Sequence, residues 1–98
     1  MTRAAKEALD ANKLALDDID VLIPHQANLR MLEAVVANVG APAEKVFLNV
    51  QEFGNVASAC LPIALDQARK KGMVSKGKLV LLVAFGSGFV WASALVRF

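Results

Sequence analysis

The rhythm of apolar and polar positions changes repeatedly along the chain, and each change predicts an element. From Thr2 to about Leu14, the residues Ala5, Ala8, Leu9 and Asn12 recur at helical spacing among good helix formers. This helix begins almost at residue 1 with little room for a cap, which is how a cut through a longer protein is expected to look. Ile19 to Ile23 is a short apolar run ending at Pro24, and it reads as a strand. Asn28 can cap a second helix running to about Val39, with Leu29, Leu32, Val36 and Val39 as its apolar face. Gly40 and Pro42 end it.

Lys45 to Val50 reads as a second strand, and Gly54-Asn55 as a turn. The next element is a helix from about Ala57 to Lys71, with Leu61, Ala64, Leu65 and Ala68 on one side. Pro62 falls in its first turns, where proline is tolerated. Leu79 to Ala84 is a third strand. A last strand, about Phe89 to Arg97, comes after the turn Phe85-Gly86-Ser87-Gly88. The order α-β-α-β-α-β-β predicts an α/β fold with a mixed, mostly parallel sheet. The last two strands are joined too closely for a crossover, so the final one should be antiparallel.

Composition changes this picture in one respect. The 98 residues suffice for one small domain, yet 56% are hydrophobic and only 20% charged. Part of that apolar surface is expected to meet another domain or chain. The apolar run Leu79 to Val96 is broken by Gly86-Ser87-Gly88, so it reads as two strands and not as a membrane span. The start is polar and helical, unlike a signal peptide. A net charge of +2 is too mild to argue for nucleic acid. Arg69, Lys70, Lys71, Lys76 and Lys78 cluster at one turn, where a solvated helix end accounts for them.

The candidate chemistry lies just past the strands. Ligands of open α/β sheets bind beyond the carboxyl ends of the strands. Pro24-His25-Gln26-Ala27-Asn28 comes after the first strand, Gly54-Asn55 after the second, and Phe85-Gly86-Ser87-Gly88 after the third. His25 is the only histidine; taken alone, a histidine is more often a structural or surface residue than a catalytic one. Asn55 after Gly54 is by itself a common turn pair, and the glycine turn could be a plain hairpin. Delivered together, His25 and Asn55 could both donate to one thioester oxygen and stabilise an enolate. The glycine turn could offer backbone N–H groups to an oxyanion. A metal is not expected, because one histidine without clustered carboxylates or cysteines is too few ligands. The sole cysteine, Cys60, excludes an internal disulfide and fits a reducing compartment. Near a helix start its thiol could be activated, but a small buried hydrophobe is the simpler reading.

Pro24-His25-Gln26-Ala27-Asn28, Gly54-Asn55-Val56-Ala57-Ser58-Ala59 and the segment from Phe85 to Phe98 together resemble the C-terminal part of 3-oxoacyl-[acyl-carrier-protein] synthase III. That family has the thiolase fold and is the initiating condensing enzyme of type II fatty acid synthesis. The resemblance covers essentially the whole chain, and the Phe98 ending looks like a native C-terminus. It implies that residues 1–98 are a C-terminal thiolase-like domain truncated at its N-terminus. It further implies an acyltransferase with a Cys-His-Asn triad, in which His25 and Asn55 are the second and third members. The nucleophilic Cys lies in the family's N-terminal half, and Cys60 does not match its motif.

By the same resemblance, Asn28, Ala27 and Phe85 bind substrate, the Ser87 backbone serves the oxyanion, and Arg30 docks the acidic carrier protein. The family's turn usually carries three glycines where this chain has Ser87 in the middle, and a serine there is costly if φ is positive. Val56 stands where threonine is usual. The implied substrates are acyl-CoA and malonyl-carrier protein, with no further cofactor. The implied partners are the N-terminal half of the same enzyme, acyl carrier protein, coenzyme A esters and a second copy in a cytoplasmic homodimer, with no nucleic acid and no membrane. Two alternatives stay open: a related thiolase-fold synthase acting on CoA esters, of quinolone or polyketide starter type, and a non-catalytic interaction fragment of that fold.

Overall fold

The computed structural model describes residues 1–98. Its elements, in chain order, are α1 (Thr2–Ala11), β1 (Val21–Pro24), α2 (Leu29–Val39), the short α3 (Val50–Phe53), α4 (Cys60–Lys70), β2 (Leu79–Gly86) and β3 (Val90–Arg97). The strands form one three-stranded sheet in the order β1-β2-β3. β1 runs parallel to β2, from Val21 opposite Val80 to Pro24 opposite Val83. β2 and β3 are antiparallel, from Leu79 opposite Arg97 to Gly86 opposite Val90. The α/β class, the mixed sheet and its antiparallel last strand are as expected, but with one parallel and one antiparallel pair the sheet is not mostly parallel.

Alternate residues of a strand face opposite sides of a sheet, and here each side acquires its own core. Leu22, Leu79, Leu81 and Val83 meet Ala4, Ala5 and Leu9 of α1, together with Ile19. Val21, Ile23 and Val80 meet Ala64 and Ala68 of α4, together with Phe47 and Val74. Both helices touch the sheet through alanines, whose small side chains let the helix backbone come close. β1 is buried along its whole length, as a strand covered on both faces must be.

Two expectations change. Lys45–Val50 does not form a strand. It contributes one parallel bridge, Val46 to Leu22, preceded by a single 3-10 turn at Ala43–Lys45 and succeeded by α3. The cause lies in Pro24. The next rung toward this segment calls for the N–H of residue 24, and proline has none. On α2 the buried pair is Leu32 and Val35, while Val36 and Val39 are half-buried and Leu29 is 49% exposed. Asn28 caps this helix as expected, its Oδ1 accepting from the Met31 N–H at 2.9 Å. Gly40 closes it in the left-handed conformation, φ +79°.

Only 21 of the 98 residues are buried, so much of the apolar content lies on the surface. It concentrates at the sheet end and along β3. Phe89 is 82% exposed and Val90 62%. Ala92 and Ala94 are exposed too, and they share with Val90 the face of β3 on the α4 side of the sheet. No helix is long and apolar enough to cross a membrane.

Candidate active site

A cleft of about 720 Å³ opens at the carboxyl end of β1 and β2, lined by His25, Ala27, Asn55, Phe85, Gly86 and Ser87 among others. Three separate stretches of sequence therefore meet in one place. His25 is the first residue past β1. Its N–H donates to Val83 O at 2.7 Å, and its carbonyl accepts from the Ala27 N–H at 2.9 Å. The β1–β2 ladder thus extends one residue beyond the strand and stops with the half-buried imidazole at the cleft.

The other wall depends on a side chain. Gln26 is 1% exposed. Its Nε2 donates to Pro24 O at 2.7 Å and to Phe47 O at 3.5 Å. Its Oε1 accepts from the Asn49 N–H at 2.9 Å and the Val50 N–H at 3.0 Å. A carboxamide carries the same donor and acceptor as a peptide group. Here it fills the ladder position that Pro24 leaves empty and starts α3. The buried Asn49 extends the network by donating from Nδ2 to Gln67 Oε1 at 3.0 Å. Gln26 and Asn49 were not among the sequence candidates. The available signal was a proline at a strand end with a glutamine two residues later.

Asn55 is joined to α3 by Gly54, whose φ of +65° and ψ of −159° belong to a region that is essentially glycine-only. The pair is therefore more than an ordinary turn. Asn55 is exposed, and its Oδ1 accepts from the Ala57 N–H at 3.0 Å, closing an Asx turn. Ala57 itself has φ +53°, unusual for a residue with a Cβ. The positive φ of Ala57 is backbone strain beside Asn55, and it marks a conformation imposed by the surroundings.

The loop from β2 to β3 consists of Ser87, Gly88 and Phe89. Positive φ falls on Gly88 (+79°) and Phe89 (+56°), not on Ser87. Serine therefore sits here without backbone strain, and its N–H donates to no group of the chain. Phe85, at the cleft wall, meets Phe89 edge-on with ring centroids 6.3 Å apart.

Asn28 and Arg30 lie at the start of α2 and do not themselves line the cleft, although their neighbours Ala27 and Met31 do. The Asn28 oxygen is engaged in the cap, and Arg30 is exposed with no ion pair. Cys60 is buried and hydrogen-bonded. Its Sγ accepts from the Val56 N–H at 3.2 Å and lies 3.6 Å from Asn55 Oδ1 and 3.8 Å from Gln26 O.

This arrangement has relatives. Residues 9–98 match the family model for the C-terminal domain of 3-oxoacyl-[acyl-carrier-protein] synthase III. The chain belongs to that family. It is 48% identical over 97 residues to beta-ketoacyl-[acyl-carrier-protein] synthase III of Oleidesulfovibrio alaskensis, covering 99% of this chain and 29% of the relative. The corresponding protein of Xanthomonas campestris pv. campestris is 51% identical over 92 residues, 94% of this chain and 28% of that one. The crystal structure of 3-oxoacyl-[acyl-carrier-protein] synthase III from Aquifex aeolicus superposes with a TM-score of 0.95 at 39% identity, over 100% of this chain and 32% of that one. The chain thus spans about 30% of the length of the curated relatives it matches. Membership of this family and the thiolase-like fold agree with the expectation from the sequence motifs.

Proposed function

We propose that this chain supplies the His and Asn of a Cys-His-Asn active site in an enzyme that starts fatty acid synthesis. The reaction is decarboxylative Claisen condensation of acyl-CoA with malonyl-carrier protein. One observation carries the reading: His25, Asn55 and the Gly86-Ser87 turn line a single cleft at the end of the parallel strands. The relatives' names, which specify synthases acting with acyl carrier protein, support the substrate class.

In this mechanism the acyl group waits as a thioester on a cysteine outside this chain. Cys60 is a poor candidate for that nucleophile, being 2% exposed and held among backbone groups. The malonyl thioester then binds with its carbonyl oxygen between His25 and Asn55. The bond to the carboxylate breaks, CO2 leaves, and the electron pair delocalises onto the thioester oxygen. Donors already in place there lower the barrier without reorganising. The carbanion attacks the acyl thioester, whose developing oxyanion meets the Ser87 N–H, and the thiolate departs. No cofactor is needed.

The exposed apolar surface along β3 suits burial against the remainder of the enzyme, so the 98 residues alone are expected to be inactive. Arg30, exposed and unpaired, suits docking of an acidic carrier protein, and Asn28 and Ala27 suit contacts to its pantetheine arm. The reading carries with it a cytoplasmic homodimer.

The test uses the complete enzyme with its two half-reactions measured separately. His25→Ala should retain acyl loading and lose malonyl decarboxylation by about 10²–10³-fold, the range for a lost oxyanion-type donor. Equal loss of both steps would overturn the assignment. Condensation by the 98-residue chain alone would overturn the claim that the nucleophile lies elsewhere.

A further inference from the structure

The role just proposed for Asn55 requires its Nδ2 to face substrate, yet an exposed asparagine can turn either end of its carboxamide outward. Something must decide which end. Oδ1 has two potential donors around it, the Ala57 N–H at 3.0 Å and the Cys60 S–H at 3.6 Å. Cys60 Sγ is a weak acceptor that already receives the Val56 N–H at 3.2 Å. A turned carboxamide would therefore bring its NH2 against a backbone donor, with only a weakly accepting thiol sulfur to receive it. The O end is favoured inward and the NH2 end outward.

We infer that Cys60 is a positioning residue for Asn55, its thiol proton and the Ala57 N–H together holding the carboxamide so that Nδ2 is presented to the cleft. Cys60 suits the task because it is buried at the first turn of α4 and braced by the Val56 N–H. The only competing acceptor for its proton is Gln26 O, at the longer distance of 3.8 Å. The kinetic consequence rests on the function proposed above, but the geometry does not.

Two measurements test this. In the complete enzyme, the S–H stretching band of Cys60 is the one that Cys60→Ala removes. The band should move to higher wavenumber in Asn55→Ala, as the proton transfers to the more distant Gln26 O. An unmoved band overturns the inference. In the complete enzyme, Cys60→Ala should slow malonyl decarboxylation about fivefold, the worth of one ordinary hydrogen bond, with KM and acyl loading unchanged. Cys60→Ser, which keeps a donor, should restore the rate. Full activity in Cys60→Ala, or equal slowing in both variants, overturns the positioning role. A native enzyme that does not decarboxylate malonyl thioesters would instead overturn the proposed function, while the infrared result still decides the hydrogen bond.

Discussion

On its β2 side, β1 pairs along all of Val21 to Pro24, and the ladder runs on through the His25 N–H. On its other side, the ladder stops after the bridge between Leu22 and Val46, and the side chain of Gln26 takes over. Backbone rungs need only that two extended segments lie side by side, so the first side is regular and tolerant of sequence. The second side depends on one carboxamide at one position. The difference matters because each side delivers one functional group. The regular side places His25, and the spliced side leads through α3 and Gly54 to Asn55. A segment released from strand geometry can turn sharply, and that freedom lets Asn55 come back toward the strand ends.

The largest expected effect comes from breaking the spliced side. Gln26→Leu leaves the Asn49 and Val50 N–H groups without an acceptor, the first of them buried, and should cost about 3–5 kcal/mol in urea unfolding. Ile23→Ala, in the core under α4, should cost a comparable 2–5 kcal/mol, roughly the usual range for a large apolar truncation. Hydrogen exchange separates the two. Gln26→Leu should speed exchange selectively at Asn49 and Val50, whereas Ile23→Ala should not single them out. Equal patterns in the two variants would show that the sides of β1 do not differ as described.

A smaller effect is expected at Gly54. An alanine there must adopt a conformation nearly reserved for glycine, at a cost of about 1–3 kcal/mol, although nothing lies within 4 Å of the new Cβ. The loss would therefore be conformational and not steric. A melting temperature unchanged by Gly54→Ala would mean that the spliced segment relaxes freely.

The smallest effect concerns the tie between α1 and β3, remote from either side of β1. Glu7 accepts from Trp91 Nε1 at 3.1 Å and from Arg3 Nε at 2.9 Å. The Trp91 hydrogen bond first, and then Arg3, hold its carboxyl below the ordinary value of 4.5. A lowered carboxyl pKa stabilises the fold above the ordinary value, and that contribution fades as pH falls through the lowered one. The advantage of the native chain over Glu7→Gln should be slight near neutrality and shrink below about pH 4.5. An advantage that instead grows with acidification would contradict the tie.

Much of this molecule was legible in one dimension. Local periodicity marks the three longer helices, and a side-chain cap starts α2. The short connection at Ser87 forces β3 to run antiparallel, and the ends of successive strands must share an edge. Those constraints act over a few residues or arise from chirality and chain connectivity, so they survive without knowledge of the fold. They already direct His25 and Ser87 toward one edge of the sheet, whereas they place Asn55 there only through a strand at Lys45–Val50 that does not form. What the apolar pattern of Lys45–Val50 could not convey is that its neighbour, Pro24, lacks the donor a strand there would need. The donor comes from Gln26, more than 20 residues away from the groups it serves. Likewise nothing local links Cys60 to the backbone of Gln26, and nothing local decides that Ser87 escapes positive φ while Phe89 accepts it. Whether a buried polar group is satisfied depends on which distant atoms the packed core brings within about 3 Å, and only the tertiary structure makes that choice.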